Sequence, residues 1–542
     1  MSRSIALLCA AASAALVTSE LSAATIFWQG AGVSGNLTDS NYSDGTNPNL
    51  APTAADVVNF GGGGTATHSV AGVTSFSKLR VAHNQAPGGT GTGIVTVNNG
   101  AQINLTGGAA GSEDAGLWVG NAQNGTLNID GAGSSVTSNQ LIVIGYASNQ
   151  PSRNGTVNIT NGGSLISSAG NINMGDSGSD GQNGIQGHLF VSGTGSTVSA
   201  MGTGADLNIG IRTAQSSVTQ TGGTIDIADA IEVGFGGAGT HTNSNSSFDL
   251  SGGTTTHGGN FFLGRGASAG ATVNLSGTGI LNTGNRFLMG SGTATGVVMN
   301  HSGGTLNTTL DVRVGDAGTT AHSTYNLSGT GVINSTTGGI VGRQGTGRFF
   351  QTGGTANFNG ALSIGNREAA ANATNGLYEI SGGDLNVTTE LNVAPKGVGE
   401  FRVIGDDATI DVTGNFSLGN TVDGLGTLAF ELETGDLLSL VNVTGTATFD
   451  AASSLVFDAS NAAPTQTIYD LLTATTITDS GIAFTAPAGW TYQIVPGGNG
   501  QILQVVVPEP ASFGLIALTG LLALRRRRAT RECAGSKDGM RV

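Results

Sequence analysis

The sequence predicts an all-β chain wound as a right-handed parallel β-helix of about ten coils, closed by N- and C-terminal β caps. Three observations point there. Glycine supplies 92 of 542 residues and charged residues only 10%, which suits turn-dense β structure. An apolar pattern ending in glycine returns about every 27 residues, within the range of solenoid repeats. Between these anchors lie short alternating strands that run into glycine turns. Disorder is disfavoured, since the apolar share is 38% and the mean hydropathy is +0.07.

Residues 1–24 read as a secretory signal peptide. Arg3 precedes an apolar run from Ile5 to Val17, and Ser22, Ala23 and Ala24 precede the cut. The run is about 13 residues, short of the roughly 20 that span a bilayer. Residues 25–95 form the expected N-terminal cap, with Trp28 and Phe60 over the first coil, because an open strand edge invites pairing with another chain.

Residues 96–420 carry the repeats. The anchors are LWVG, IVIG, INMG, LNIG, IEVG, FFLG, FLMG, VRVG, GIVG and LSIG, ending at Gly120, Gly145, Gly175, Gly210, Gly234, Gly264, Gly290, Gly315, Gly342 and Gly365. One coil per repeat stacks Val119, Ile144, Met174, Ile209, Val233, Leu263, Met289, Val314, Val341 and Ile364 as an inward file. Burying each such side chain is worth about 1.5–3 kcal/mol, a gain that exists only once neighbouring coils stack. The second units, such as GTLNIDGAG, GTVNITNGG, TVNLSGTG and TYNLSGTG, place Asn128, Asn158, Asn274 and Asn326 at matching positions, expected as an amide file.

Longer apolar strands mark residues 421–504 as a C-terminal β cap. Residues 505–528 then read VVVPEPASFGLIALTGLLALRRRR. The prolines of Pro508-Glu509-Pro510 resist both ladder and helix. Ala511 to Leu524 form a short transmembrane helix of about 21 Å, which Val505–Val507 and the arginine stems lengthen. Arg525, Arg526, Arg527 and Arg528 stay cytoplasmic by the positive-inside rule, followed by a tail at 529–542. The two cysteines, Cys9 and Cys533, fall in the terminal segments, so the exported portion has no disulfide staple.

Residues 25–508 hold 12 basic and 31 acidic side chains, a net charge of −19. That excludes the basic footprint nucleic acid requires and favours divalent cations or neutral glycans. No cofactor is expected. GFGGAG at Gly234–Gly239 lacks a following helix, and GDSG at Gly175–Gly178 lacks the other elements of a serine-protease triad. DSGSDGQNG offers a candidate Ca²⁺ site through Asp176 and Asp180, though Gly178 and Gly187 stand where a calcium loop has acids. The histidines show no metal spacing, and His83, His241 and His322 read as surface residues. Six arginines lie near anchors: Arg212, Arg265, Arg286, Arg313, Arg343 and Arg367. They form either a glycan-binding row that forks onto uronate or sulfate, or corner residues paired with Asp176, Glu232, Asp316 or Glu368.

Pro508-Glu509-Pro510, the short apolar helix and the arginine cluster resemble the PEP-CTERM sorting signal of Gram-negative bacteria. The resemblance covers about 21 residues, and ATRECAGSKDGMRV follows where the family usually stops. It implies cleavage by an exosortase at the Pro-Glu-Pro, transient inner-membrane passage, and a cell envelope or matrix rich in exopolysaccharide. The repeats and the GWTYQIV…GGNGQILQVVV ending resemble autotransporter-associated β-strand repeat proteins. The expectation is a non-enzymatic structural or adhesive protein of the cell surface or extracellular matrix. The alternative is a β-helix lyase or hydrolase acting on polysaccharide, which needs acids or bases converging on a groove.

Overall fold

The computed structural model describes residues 24–508 except 29–33, 62, 84–91, 108–114, 122, 147–152, 177–184, 212–214, 237–244, 267–269, 319–321, 367–374, 421–422, 463 and 499. Residues 1–23 of the signal segment, Asp180, Arg212, Arg367, Glu509, Pro510, the expected transmembrane helix and Arg525–Arg528 lie outside the described residues. Among the described residues every element is a strand, and no helix is long and apolar enough to cross a membrane.

The chain winds as a parallel β-solenoid of about 14 turns. Its coils build three walls. The first runs from Thr25–Trp28 to Thr476–Asp479, the second from Ser34–Asn36 to Ala483–Thr485, and the third from Gly72–Phe76 to Ile468–Ala474. Several strands bend round a corner and serve two walls, as Ser217–Ile227 does with a register shift after Gln220.

The expected inward file is present. Val119 pairs with Ile144, Ile144 with Met174, and the succession continues coil by coil to Val341 and Ile364, all buried. Inside the column Tyr325, Phe349 and Tyr378 stack with ring centroids 4.6 and 4.5 Å apart and interplanar angles of 7°.

The coil count exceeds the expected ten, and the anchors explain why. All ten anchor glycines have positive φ, from 65° to 77°. The same corner recurs at Ala82 with φ 64° and at Ala394 with φ 54°, where alanine hides the repeat from a search for glycine. Glycine suits the corner because the coils nearly touch there. A Cβ on Gly145 would lie 2.2 Å from the Gln186 carbonyl oxygen.

The segments expected as caps also supply coils. Parallel pairing already links Thr25 with Val57, and it still links Val456 with Thr485. Only the outermost pieces cap. At the N-terminal end Thr25–Trp28 pairs antiparallel with Tyr42–Ser43, and Trp28 packs against Tyr42 and Phe60 at 5.1 Å each. At the other end the hairpin of Thr491–Gly497 and Gly500–Val506 lies antiparallel on Ile468–Ala474, with Phe457, Tyr469 and Trp490 clustered beneath it.

Candidate binding faces

The four described arginines of the expected row do not share one register. Arg265 follows its anchor glycine and Arg343 does likewise, whereas Arg313 precedes Gly315 and Arg286 precedes its strand. Each meets a carboxylate instead. Arg265 bonds the buried Glu232 and lies over the Phe262 ring, its guanidinium carbon 4.6 Å from the centroid. Burial pushes the Glu232 carboxyl up, and the Arg265 charge opposes that shift. Arg313 reaches Asp311 at 2.6 Å and Asp316 at 3.2 Å; Arg286 joins at Asp311 and Arg343 at Asp316. Three coils thus share one network of five charges, which matches the pairing reading with Glu232 and Asp316. Asp311 was not foreseen, because it precedes its strand and joins Arg313 of its own coil to Arg286 of the coil before.

Amide ladders bind the coils on two walls. On the second, Asn158 donates to Asn128 at 2.8 Å, while Asn326 donates to Asn300 and Asn300 to Asn274, at 2.9 Å each. The four expected asparagines occupy one column but not one continuous ladder, because Phe190 takes the place next to Asn158 and breaks it. A longer ladder on the third wall escaped the sequence reading. Asn386, Asn357, Asn334 and Asn307 each donate to the asparagine one coil earlier, ending at Asn282, at 2.8–2.9 Å. Its signal was present in ILNT, TLNT, VINS, ANF and DLNV, one asparagine at the same strand position in each.

Asp176 is buried within the strand Ile172–Asp176. Among the described residues no group of three His, Cys, Asp or Glu side chains is placed to hold a metal ion. His83 corrects the surface expectation. It is buried, stacks on Trp118 with centroids 6.1 Å apart, and takes a hydrogen bond from Arg80 at 3.1 Å. Burial, then the Arg80 charge, pushes its imidazole down to about 4. His322 is exposed at the start of its strand, and His241 lies outside the described residues.

One recess interrupts the second wall near the C-terminal end. It encloses about 290 Å³ and is lined by Glu400, Arg402, Thr427, Ala429, Glu431 and Asp458, with Val456 and Phe430. Arg402 holds Glu400 at 2.7 Å and approaches Glu379 at 3.6 Å. Burial raises Glu379, with Arg402 opposing. Charges scattered along a chain of low charge give no such warning, since only stacking sets residues 431 and 458 side by side. A larger, uncharged cavity of about 470 Å³ lies between Asn442–Thr444, Thr473–Thr475 and the tip of the terminal hairpin.

No family model matches the chain, and no curated protein matches it.

Proposed function

We propose that the protein is an exported, non-enzymatic β-solenoid of the cell envelope or extracellular matrix, structural or adhesive in role and associated with exopolysaccharide. The winding is right-handed, as parallel crossovers overwhelmingly are. The observation that carries the reading is the third-wall ladder from Asn282 to Asn386, which ties coil to coil by the same amide bond. Such repetition spreads cohesion along a rod, whereas an enzyme concentrates its polar groups at one reacting centre.

The tag extends the proposal. Exosortase cleaves at Pro508-Glu509-Pro510 after the short apolar helix and Arg525–Arg528 halt the chain in the inner membrane. The exposure of Pro508, just beyond the closing strand Gly500–Val506, supports access to that motif. Glu509→Ala in an exosortase-bearing host is expected to leave a longer, membrane-held product; unchanged secretion overturns the sorting step. Incubating the protein with acidic and neutral polysaccharides, with and without Ca²⁺, is expected to give binding without chain scission. Scission replaces the structural role with the polysaccharide-degrading one.

A further inference from the structure

The proposed association with exopolysaccharide, on which this inference rests, leaves open which sugar is met and where. The recess on the second wall has the shape and chemistry to answer. Three successive strands there, Glu390–Ile404, Gly424–Glu431 and Ser454–Asp458, pair in register, so their outward side chains line up in columns. One column is Glu400, Thr427 and Ser454, the two hydroxyls 3.1 Å apart. The middle one is Arg402, Ala429 and Val456, and the third ends in Glu431 and Asp458.

The middle column makes the recess, because Ala429 and Val456 fall short of the residues on either side. The result is an apolar floor bounded at one end by Arg402, with the Thr427 hydroxyl and the Glu400 carboxylate on one bank and two carboxylates on the other. At about 290 Å³ it sits at the lower limit of small-ligand pockets, room for a single ring. Its net charge is negative, with the carboxylates of Glu400, Glu431 and Asp458 outnumbering Arg402, whose charge reaches Asp458 from the middle column. Arg402 engages Glu400 and Glu379, while Glu431 takes a hydrogen bond from Asn461 and Asp458 from the Ser460 amide, at 2.8 Å each. An ionised carboxylate accepts about four hydrogen bonds, so both retain capacity for a cationic donor. They stand one strand spacing apart, about 4.8 Å, so one ammonium group can reach both.

We infer that this recess binds a pyranose carrying a protonated amine, a hexosamine unit of the polysaccharide. The C–H face of the ring lies on Ala429 and Val456, the ring hydroxyls meet Thr427 and Glu400, and the ammonium donates to Glu431 and Asp458. A linear polyamine satisfies the carboxylates but leaves floor and hydroxyl bank unused, and an N-acetylated sugar has no charge to offer them.

The test is calorimetric titration of the full chain with a β-linked glucosamine tetramer, its fully N-acetylated counterpart, and spermidine. The glucosamine tetramer is expected to bind at least tenfold more tightly than either control. The isosteric pair Glu431→Gln/Asp458→Asn is expected to lose at least tenfold, and Ala429→Leu, which fills the floor, to abolish binding. No binding by the wild type, equal affinity for the acetylated tetramer or spermidine, or an unaffected double variant overturns the inference. Should Ala429→Leu fail to fold by circular dichroism, the double variant decides. These results leave the scission and secretion tests untouched, so the recess and the matrix role fail separately.

Discussion

The side-chain amide of Asn334 donates to Asn307 one coil below at 2.9 Å, and its own carbonyl oxygen accepts from Asn357 one coil above at 2.9 Å. Replacing Asn334 by alanine removes both bonds and leaves two half-buried amides short of a partner. The expected loss is about 1–3 kcal/mol, read as a lower urea midpoint. Substituting an exposed residue outside the ladder, such as Thr448, is expected to shift stability by less than about 0.5 kcal/mol.

The anchor corner predicts opposite outcomes for two mirror substitutions. Gly145→Ala forces a Cβ to 2.2 Å from the Gln186 carbonyl at φ 76°, so the coils must part and thermal stability falls. Ala394→Gly relieves a left-handed alanine that costs roughly 1–2 kcal/mol, and is expected to hold or raise the melting temperature. A melting curve of each variant separates them.

Acid is expected to destabilise the column before it protonates the carboxylates. His83, His257 and His301 are all buried, and burial pushes each imidazole down to about 4 from an ordinary 6.5. Above pH 6.5 folded and unfolded chains are both neutral at these rings, and full stability is present. As pH falls from 6.5 towards 4 only the unfolded chain takes up the proton, so each histidine removes about 1.4 kcal/mol per pH unit. His301→Gln is expected to flatten the fall in denaturation midpoint between pH 6.5 and 4; an unchanged slope excludes this residue as a source.

Arg313 and Arg265 differ in what their loss exposes. Arg313 is 14% exposed and joins Asp311 to Asp316, so Arg313→Ala leaves two largely buried carboxylates with one arginine each, Arg286 and Arg343, and is expected to cost about 1–3 kcal/mol. Arg265 is itself 44% exposed, but Arg265→Ala leaves the 5% exposed Glu232 carboxyl without that arginine and is expected to cost more. Added salt should narrow the gap little, since partly buried pairs are poorly screened.

The all-β class, the stacked column and the inward file from Val119 to Ile364 were legible because each depends on local periodicity: alternation marks a strand, and a fixed repeat marks stacking. The number of coils was underestimated partly for an equally local reason, since Ala82 and Ala394 perform the work of glycine without its letter, and partly because the segments read as caps also wind as coils. The break at Phe190 was invisible because the ladder depends on register between coils, which varying corner lengths conceal. His83 was misplaced because the Trp118 ring that covers it comes from the next coil.

Composition and period alone were enough to establish that the chain repeats, that its oily side chains point inward, and that acids outnumber bases along its length. Which acid meets which base, and that Glu431 and Asp458 share the bank of one recess, followed only from the winding. The reason is geometric: a coil brings together residues some 27 positions apart, and a shift of one residue at a corner turns a side chain from the core to the solvent. Such a choice is made by the packing of neighbouring coils and leaves no mark on either segment read by itself.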